Sequence, residues 1–116
     1  MSHALGADPE LRLHHGTLNA VVMPTVLRFN ADHVGDKFTR LRGAMGLAAK
    51  ADIADWITDF NAALELPKNL AEMGVTDAMI PDLAIHCMSD PCHFANPVQP
   101  TVDQYEQMFA DAMAGG

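Results

Sequence analysis

The segment from Leu18 to Phe29 constrains the fold more than any other. It carries Leu18, Ala20, Val21, Val22, Met23, Val26, Leu27 and Phe29 with almost no polar interruption. A helix that is apolar on every side is stable only when other elements cover it, so it belongs inside a bundle. A buried strand is the other reading of such a run, but its length favours a helix. Pro24 lacks an N–H, so it either kinks this helix or sits near its first turns.

The flanking sequence supplies elements that could cover it. Val34, Phe38, Leu41 and Met45 recur at helical spacing, and Gly46 is a plausible stop. Ile53, Trp56, Ile57, Phe60 and Leu64 form an amphipathic stripe behind a candidate N-cap, Asp52. Trp56 lies on that stripe and reads as core. Pro67 to Met73 reads as a short helix stopped by Gly74. A turn at Thr76-Asp77 leads to Pro81, and Leu83, Ala84, Cys87 and Met88 suggest another helix. The three prolines between Pro91 and Pro100 read as an ordered loop. Thr101 and Gln104 then make a capping-box pattern ahead of Tyr105, Met108, Phe109, Ala112 and Met113, and Gly115-Gly116 ends the chain. No stretch reads as a strand. Eight methionines and few aromatics suit a helical core better than a sheet. The expectation is an all-α fold, five or six helices in one bundle, with residues 1–116 as a single domain.

Charge and composition exclude several functions. The net charge is −8 and no cluster of Lys and Arg occurs, which argues against nucleic-acid binding. No apolar run reaches the roughly 20 residues that span a bilayer. The start, Met1-Ser2-His3-Ala4, has no basic region or apolar core of a signal peptide. Cys87 and Cys92 therefore read as reduced thiols of a cytoplasmic protein. A Cys/His metal site from His86, Cys87, Cys92 and His93 is imaginable, but neighbouring helical positions such as 86 and 87 point apart.

Six histidines remain: His3, His14, His15, His33, His86 and His93. Three fall within the first fifteen residues. On their own they are either metal ligands or a solvated chain start. The run from His14 to Asn30, HHGTLNAVVMPTVLRFN, closely resembles the iron-containing alcohol dehydrogenases, in which a His-Gly-x-x-Asn-Ala signature opens a buried helix. His3-Ala4-Leu5-Gly6 resembles that family's His-x-Leu-Gly segment. Leu66-Pro67, Met73-Gly74-Val75, and Asn96-Pro97 with Thr101 resemble later landmarks in the same order.

The resemblance implies an all-helical C-terminal domain of a metal-dependent, NAD(P)-linked enzyme. In that family one Asp and three His bind iron, sometimes zinc. His15 matches the last of those histidines, and is the expected metal ligand. His3 matches a histidine beside the nicotinamide and substrate, and is the expected catalytic residue. His14 reads as a polar neighbour at the rim of the site, and Asn19 as a residue that holds backbone in place. The spacing from His3 to His15 is two residues longer than the commonest family spacing.

The departures matter as much. The positions of the other three ligands fall before Met1. No glycine-rich phosphate cradle is present, since Gly35, Gly43 and Gly46 are scattered over helical patterns. Val98 stands where the family has Arg after Asn-Pro. The expectation is a helical, metal-site-contributing part of an alcohol dehydrogenase, inactive alone and holding no metal or NAD(P) tightly by itself. It would pair with a nucleotide-binding half or form a homo-oligomer. The alternative is a non-catalytic helical module derived from that family and used for protein contacts.

Overall fold

The computed structural model describes residues 1–9 and 11–115; Gly116, read as the end of the chain, lies outside them. Among the described residues there are seven α-helices and no strand. They are α1 (Ser2–Gly6), α2 (His15–Asn30), α3 (Lys37–Met45), α4 (Ile53–Ala63), α5 (Ile80–Ser89), α6 (Pro91–Ala95) and α7 (Val102–Ala114). The count exceeds the sequence expectation because α1 and α6 are single short helices that carry no periodic apolar pattern. The molecule measures 41 × 31 × 20 Å, so it is two helices thick.

Helix α2 is the central element, packed against α1, α4 and α7. Leu18, Val21, Val22, Pro24 and Thr25 are buried, together with Asn30 at its end. Its coverage is not complete. Met23 is 40% exposed, and Met23, Val26, Leu27 and Phe29 face a cleft of about 390 Å³. The core gathers Leu5, Leu18, Leu70, Cys87 and Phe109, the largest side chains sealed from solvent.

Pro24 sits in the tenth position of α2, and the helix runs through it without a break. Its missing N–H leaves the carbonyl of Ala20, one turn earlier, without a helical donor. The Asn61 side-chain amide on α4 donates to that carbonyl at 2.8 Å. The contact between α2 and α4 thus replaces the bond that the proline removes.

Trp56 corrects a sequence expectation. Helix α4 buries Ile53 and Ala54 and reaches α2 through Asn61, while Trp56 and Phe60 on it and Leu64 just after it are 36%, 47% and 53% exposed. The apolar stripe is wider than the surface α2 can cover. Trp56 and Phe60 instead stack on each other, ring centroids 5.1 Å apart.

Local stop and start signals behave as their chemistry requires. Asp52 accepts from the N–H groups of Ala54 and Asp55. Gly46 ends α3 at φ +69°, a left-handed conformation that glycine adopts without strain. The capping box of α7 is complete: Thr101 Oγ1 accepts from Gln104 N–H, and Gln104 Oε1 accepts from Thr101 N–H. The stretch from Pro67 to Met73 forms only a 3-10 turn, Ala71–Met73, before Gly74. There Asn69 and Glu72 side chains accept the backbone N–H groups of Glu72 and Lys68, bonds a longer helix would have made internally. The proline-rich stretch is also more regular than expected. Asp90 caps α6 and Pro91 fills its first turn, where a missing N–H costs nothing.

Candidate functional site

The site is assembled from helix beginnings. Helix α2 starts with His14-His15-Gly16. His14 is its N-cap, with Nδ1 accepting from Thr17 N–H at 3.4 Å. That ring folds back over residue 16, where a Cβ would lie 3.0 Å from His14 Cε1. Glycine at 16 therefore lets the cap form. His14 acts as a cap on α2, which gives the rim residue of the sequence reading a specific structural job.

His15, the next residue, projects from the first turn of α2 and is exposed. His3, on α1, stacks on it with centroids 5.2 Å apart and an interplanar angle of 14°. The two residues singled out from the sequence are thus neighbours. Helix α1 is held there by Ala4 and Leu5, which are buried in the common core with Leu18.

Of the rest of the cluster, the sequence pointed to Cys92 only in company with His86, Cys87 and His93, and did not point to Asp90. His3 Nδ1 donates to Asp90 Oδ2 at 2.7 Å, and Cys92 Sγ lies 3.9 Å from the same nitrogen. Asp90 Oδ1 accepts from Cys92 N–H at 2.7 Å. That backbone donor, with His3 beside it, holds the Asp90 carboxyl below its ordinary range. The nearby carboxylate, which accepts from the thiol, pushes the Cys92 thiol up. A lone Asp before Pro signals an N-cap, but nothing local reveals a partner 87 residues away.

The Cys/His quartet does not converge. His93 is buried and shares a hydrogen bond with the Tyr105 hydroxyl at 3.1 Å. Cys87 is sealed in the core, where burial raises its thiol pKa. His86 is exposed on α5, facing the α1 side. The Asn19 side chain, expected to hold backbone, makes no hydrogen bond among the described residues. It lines the 390 Å³ cleft with Val22, Met23, Asp90 and Cys92. A cleft of that size suits a small molecule.

Two landmarks of the resemblance also meet. The amides of Asn30, at the end of α2, and Asn96, after α6, bond to each other at 3.0 and 2.8 Å. Asn96 also donates to Val98 carbonyl at 2.6 Å. This clasp ties the far end of α2 to the segment carrying Asp90 and Cys92.

Residues 1–113 match the model of the Fe-containing alcohol dehydrogenase family, C-terminal part. The chain belongs to that family. It is 44% identical to a 4-hydroxybutyrate dehydrogenase of Cupriavidus necator, over 97% of this chain and 31% of that protein. A lactaldehyde reductase of Escherichia coli is 29% identical with the same coverage. The crystal structure of a 1,3-propanediol oxidoreductase superposes with a TM-score of 0.86 at 27% identity, covering 96% of this chain and 31% of that one. The chain thus spans about a third of the length of these relatives. The helical fold and the position of this family segment within a longer architecture follow from those matches. No described helix is long and apolar enough to cross a membrane.

Proposed function

We propose that this chain supplies the helical, metal-facing side of an NAD(P)-dependent alcohol dehydrogenase, with His15 as a metal donor and His3 beside the reacting centre. The observation that carries the reading is the His3–His15 stack, which puts both residues at one edge of the domain.

A divalent ion of the iron or zinc class takes imidazole nitrogen as a ligand. His15 has neither ring nitrogen engaged in a hydrogen bond among the described residues, so its imidazole is free to donate. A tetrahedral ion needs three or four ligands, and the start of a helix carries partial positive charge that opposes a cation. His15 therefore fits as one donor in a set that includes a carboxylate from elsewhere. Such an ion, when bound, polarises the alcohol oxygen as a Lewis acid. The chain's own contribution is geometric. The His14 cap fixes the start of α2 and hence His15. Asp90 fixes the plane of His3. The cleft next to Asp90 and Cys92, walled by Val22, Met23 and Met108, offers a small alcohol an apolar wall.

A nucleotide-binding half is the proposed partner, because hydride transfer requires a cofactor held against the substrate. No pattern in this chain provides the βαβ unit that seats a dinucleotide. The chain by itself is expected to bind a divalent ion weakly and to leave NAD and NADP unreduced. The test fuses it behind the preceding part of the Cupriavidus necator relative. The fusion should oxidise 4-hydroxybutyrate in a metal-dependent reaction, and His15→Ala should lower kcat/KM at least about a hundredfold without changing helical content. Full activity in His15→Ala, or metal-dependent NAD reduction by the purified 116-residue chain, would refute the assignment.

A further inference from the structure

We propose that His3, Asp90 and Cys92 form a divalent-metal site of zinc class, built from one imidazole nitrogen, one carboxylate oxygen and one thiolate sulfur. His15 is not one of its donors; His3 is the residue it shares with the reading above, and the test below reads ion binding without enzyme activity, so the two can fail separately.

The ligand atoms are already gathered. One donor atom from each residue lies within 4.8 Å of the others. Ligands on a tetrahedral ion at about 2.0–2.3 Å stand roughly 3.3–3.8 Å apart. The two measured separations, 2.7 Å from His3 Nδ1 to Asp90 and 3.9 Å from Nδ1 to Cys92 Sγ, bracket that range. Closing around an ion takes shifts of less than about 1 Å, within reach of rotamer adjustment at an exposed edge.

Each donor is also oriented by something other than the ion. The His3 ring is held flat against His15, with Nδ1 turned toward Asp90 and Cys92. Asp90 is fixed as the N-cap of α6, one oxygen engaged by Cys92 N–H and the other turned to His3. Cys92 sits on the first turn of the same helix as a free, exposed thiol. Orientation before binding is what separates a metal site from a chance cluster.

The chemistry selects the ion. Thiolate and imidazole prefer zinc-class ions over magnesium or calcium. Carboxylate and thiolate together carry two negative charges, which a divalent ion neutralises. On binding, the Cys92 thiol gives its proton to solvent, and the neutral His3 ring carries its single proton on Nε2 instead of Nδ1. One proton is released per ion and no redox change occurs. Three protein donors leave a fourth position open to water, the arrangement of zinc sites that remain accessible to a ligand. Asp90 and Cys92 lie on the wall of the 390 Å³ cleft, so a ligand seated there would be within reach of that position.

The test is a cobalt(II) titration of the reduced 116-residue chain, with cobalt as the spectroscopic stand-in for zinc. One equivalent should produce a sulfur-to-cobalt charge-transfer band that zinc then abolishes. Cys92→Ser should eliminate the band. Asp90→Asn should weaken binding at least about tenfold; asparagine caps helices as well as aspartate, so α6 is preserved. Cys87→Ser and His15→Ala should leave the band at full intensity at saturation. Absence of the band in folded wild-type protein overturns the proposal. So does a band that survives Cys92→Ser, or one that disappears with Cys87→Ser or His15→Ala while the far-ultraviolet spectrum stays native.

Discussion

The proline in the central helix and the asparagine that answers it make a quantitative test of how α2 and α4 are joined. Asn61→Ala removes the 2.8 Å bond to Ala20 carbonyl and leaves that acceptor without a donor. A hydrogen bond contributes about 0.5–1.5 kcal/mol net, and a buried unsatisfied group costs about 1–3 kcal/mol. Ala20 is only half-buried, so water recovers part of the loss, and a cost of about 1–2 kcal/mol follows. Pro24→Ala supplies the missing N–H and restores the helical bond to the same oxygen. In that background Asn61→Ala should cost only about 0.5 kcal/mol, a coupling of about 1 kcal/mol. Urea unfolding of the four proteins measures it. At a slope of about 1–3 kcal/mol/M, Asn61→Ala should lower the wild-type midpoint by about 0.3–2 M. The effect of Pro24→Ala itself, which mixes lost ring packing with gained propensity, cancels in the cycle. Equal costs for Asn61→Ala in both backgrounds, within about 0.3 kcal/mol, would refute the compensation argument.

Two further outcomes follow from buried polar pairs. Asn96→Ala strips Asn30, only 7% exposed, of both its amide partners and should cost about 2–3 kcal/mol by the same denaturation assay; a loss under 0.5 kcal/mol would mean the clasp is ornamental. Tyr105 is held protonated by burial, with negative charge at Cys87 and Asp90 adding to it, and its pKa is pushed up from 10 to about 12. Its folded value is raised, so the stability it contributes is complete below about pH 10 and is lost as pH rises through about 12. The chain has one tyrosine. Phenolate absorbance should therefore titrate near 12 in folded protein and near 10 in urea, and Tyr105→Phe should remove the corresponding alkaline loss of stability. A folded-state midpoint near 10 would overturn the assignment.

What the sequence made legible was local. The all-apolar run announced α2, Gly46 announced the end of α3, Asp52 the start of α4, and the Thr101/Gln104 pair the start of α7, because each signal acts within one helical turn. The proline-rich stretch hid α6, since three prolines outweighed the Asp90-Pro91 start signal. Trp56 stays exposed despite its place on the stripe, because periodicity gives the direction of an apolar face but not how much neighbouring surface exists to cover it. The resemblance supplied His3 and His15 by position, and Asn30 and Asn96 as landmarks, without indicating that each pair would touch. Contact between them depends on the angles at which helices cross, and those are set by how Leu5, Leu18, Cys87 and Phe109 fill the core between them. The His3–Asp90–Cys92 cluster lies at the far end of that dependence. Its donors sit on α1 and at the start of α6, held in register by α5, whose Ala84 and Cys87 pack in the same core as Ala4 and Leu5 of α1. A substitution in that core, such as one enlarging Ala84, would shift α6 relative to α1 and spread the donors without touching any of them. The geometry of this edge is thus controlled from the interior.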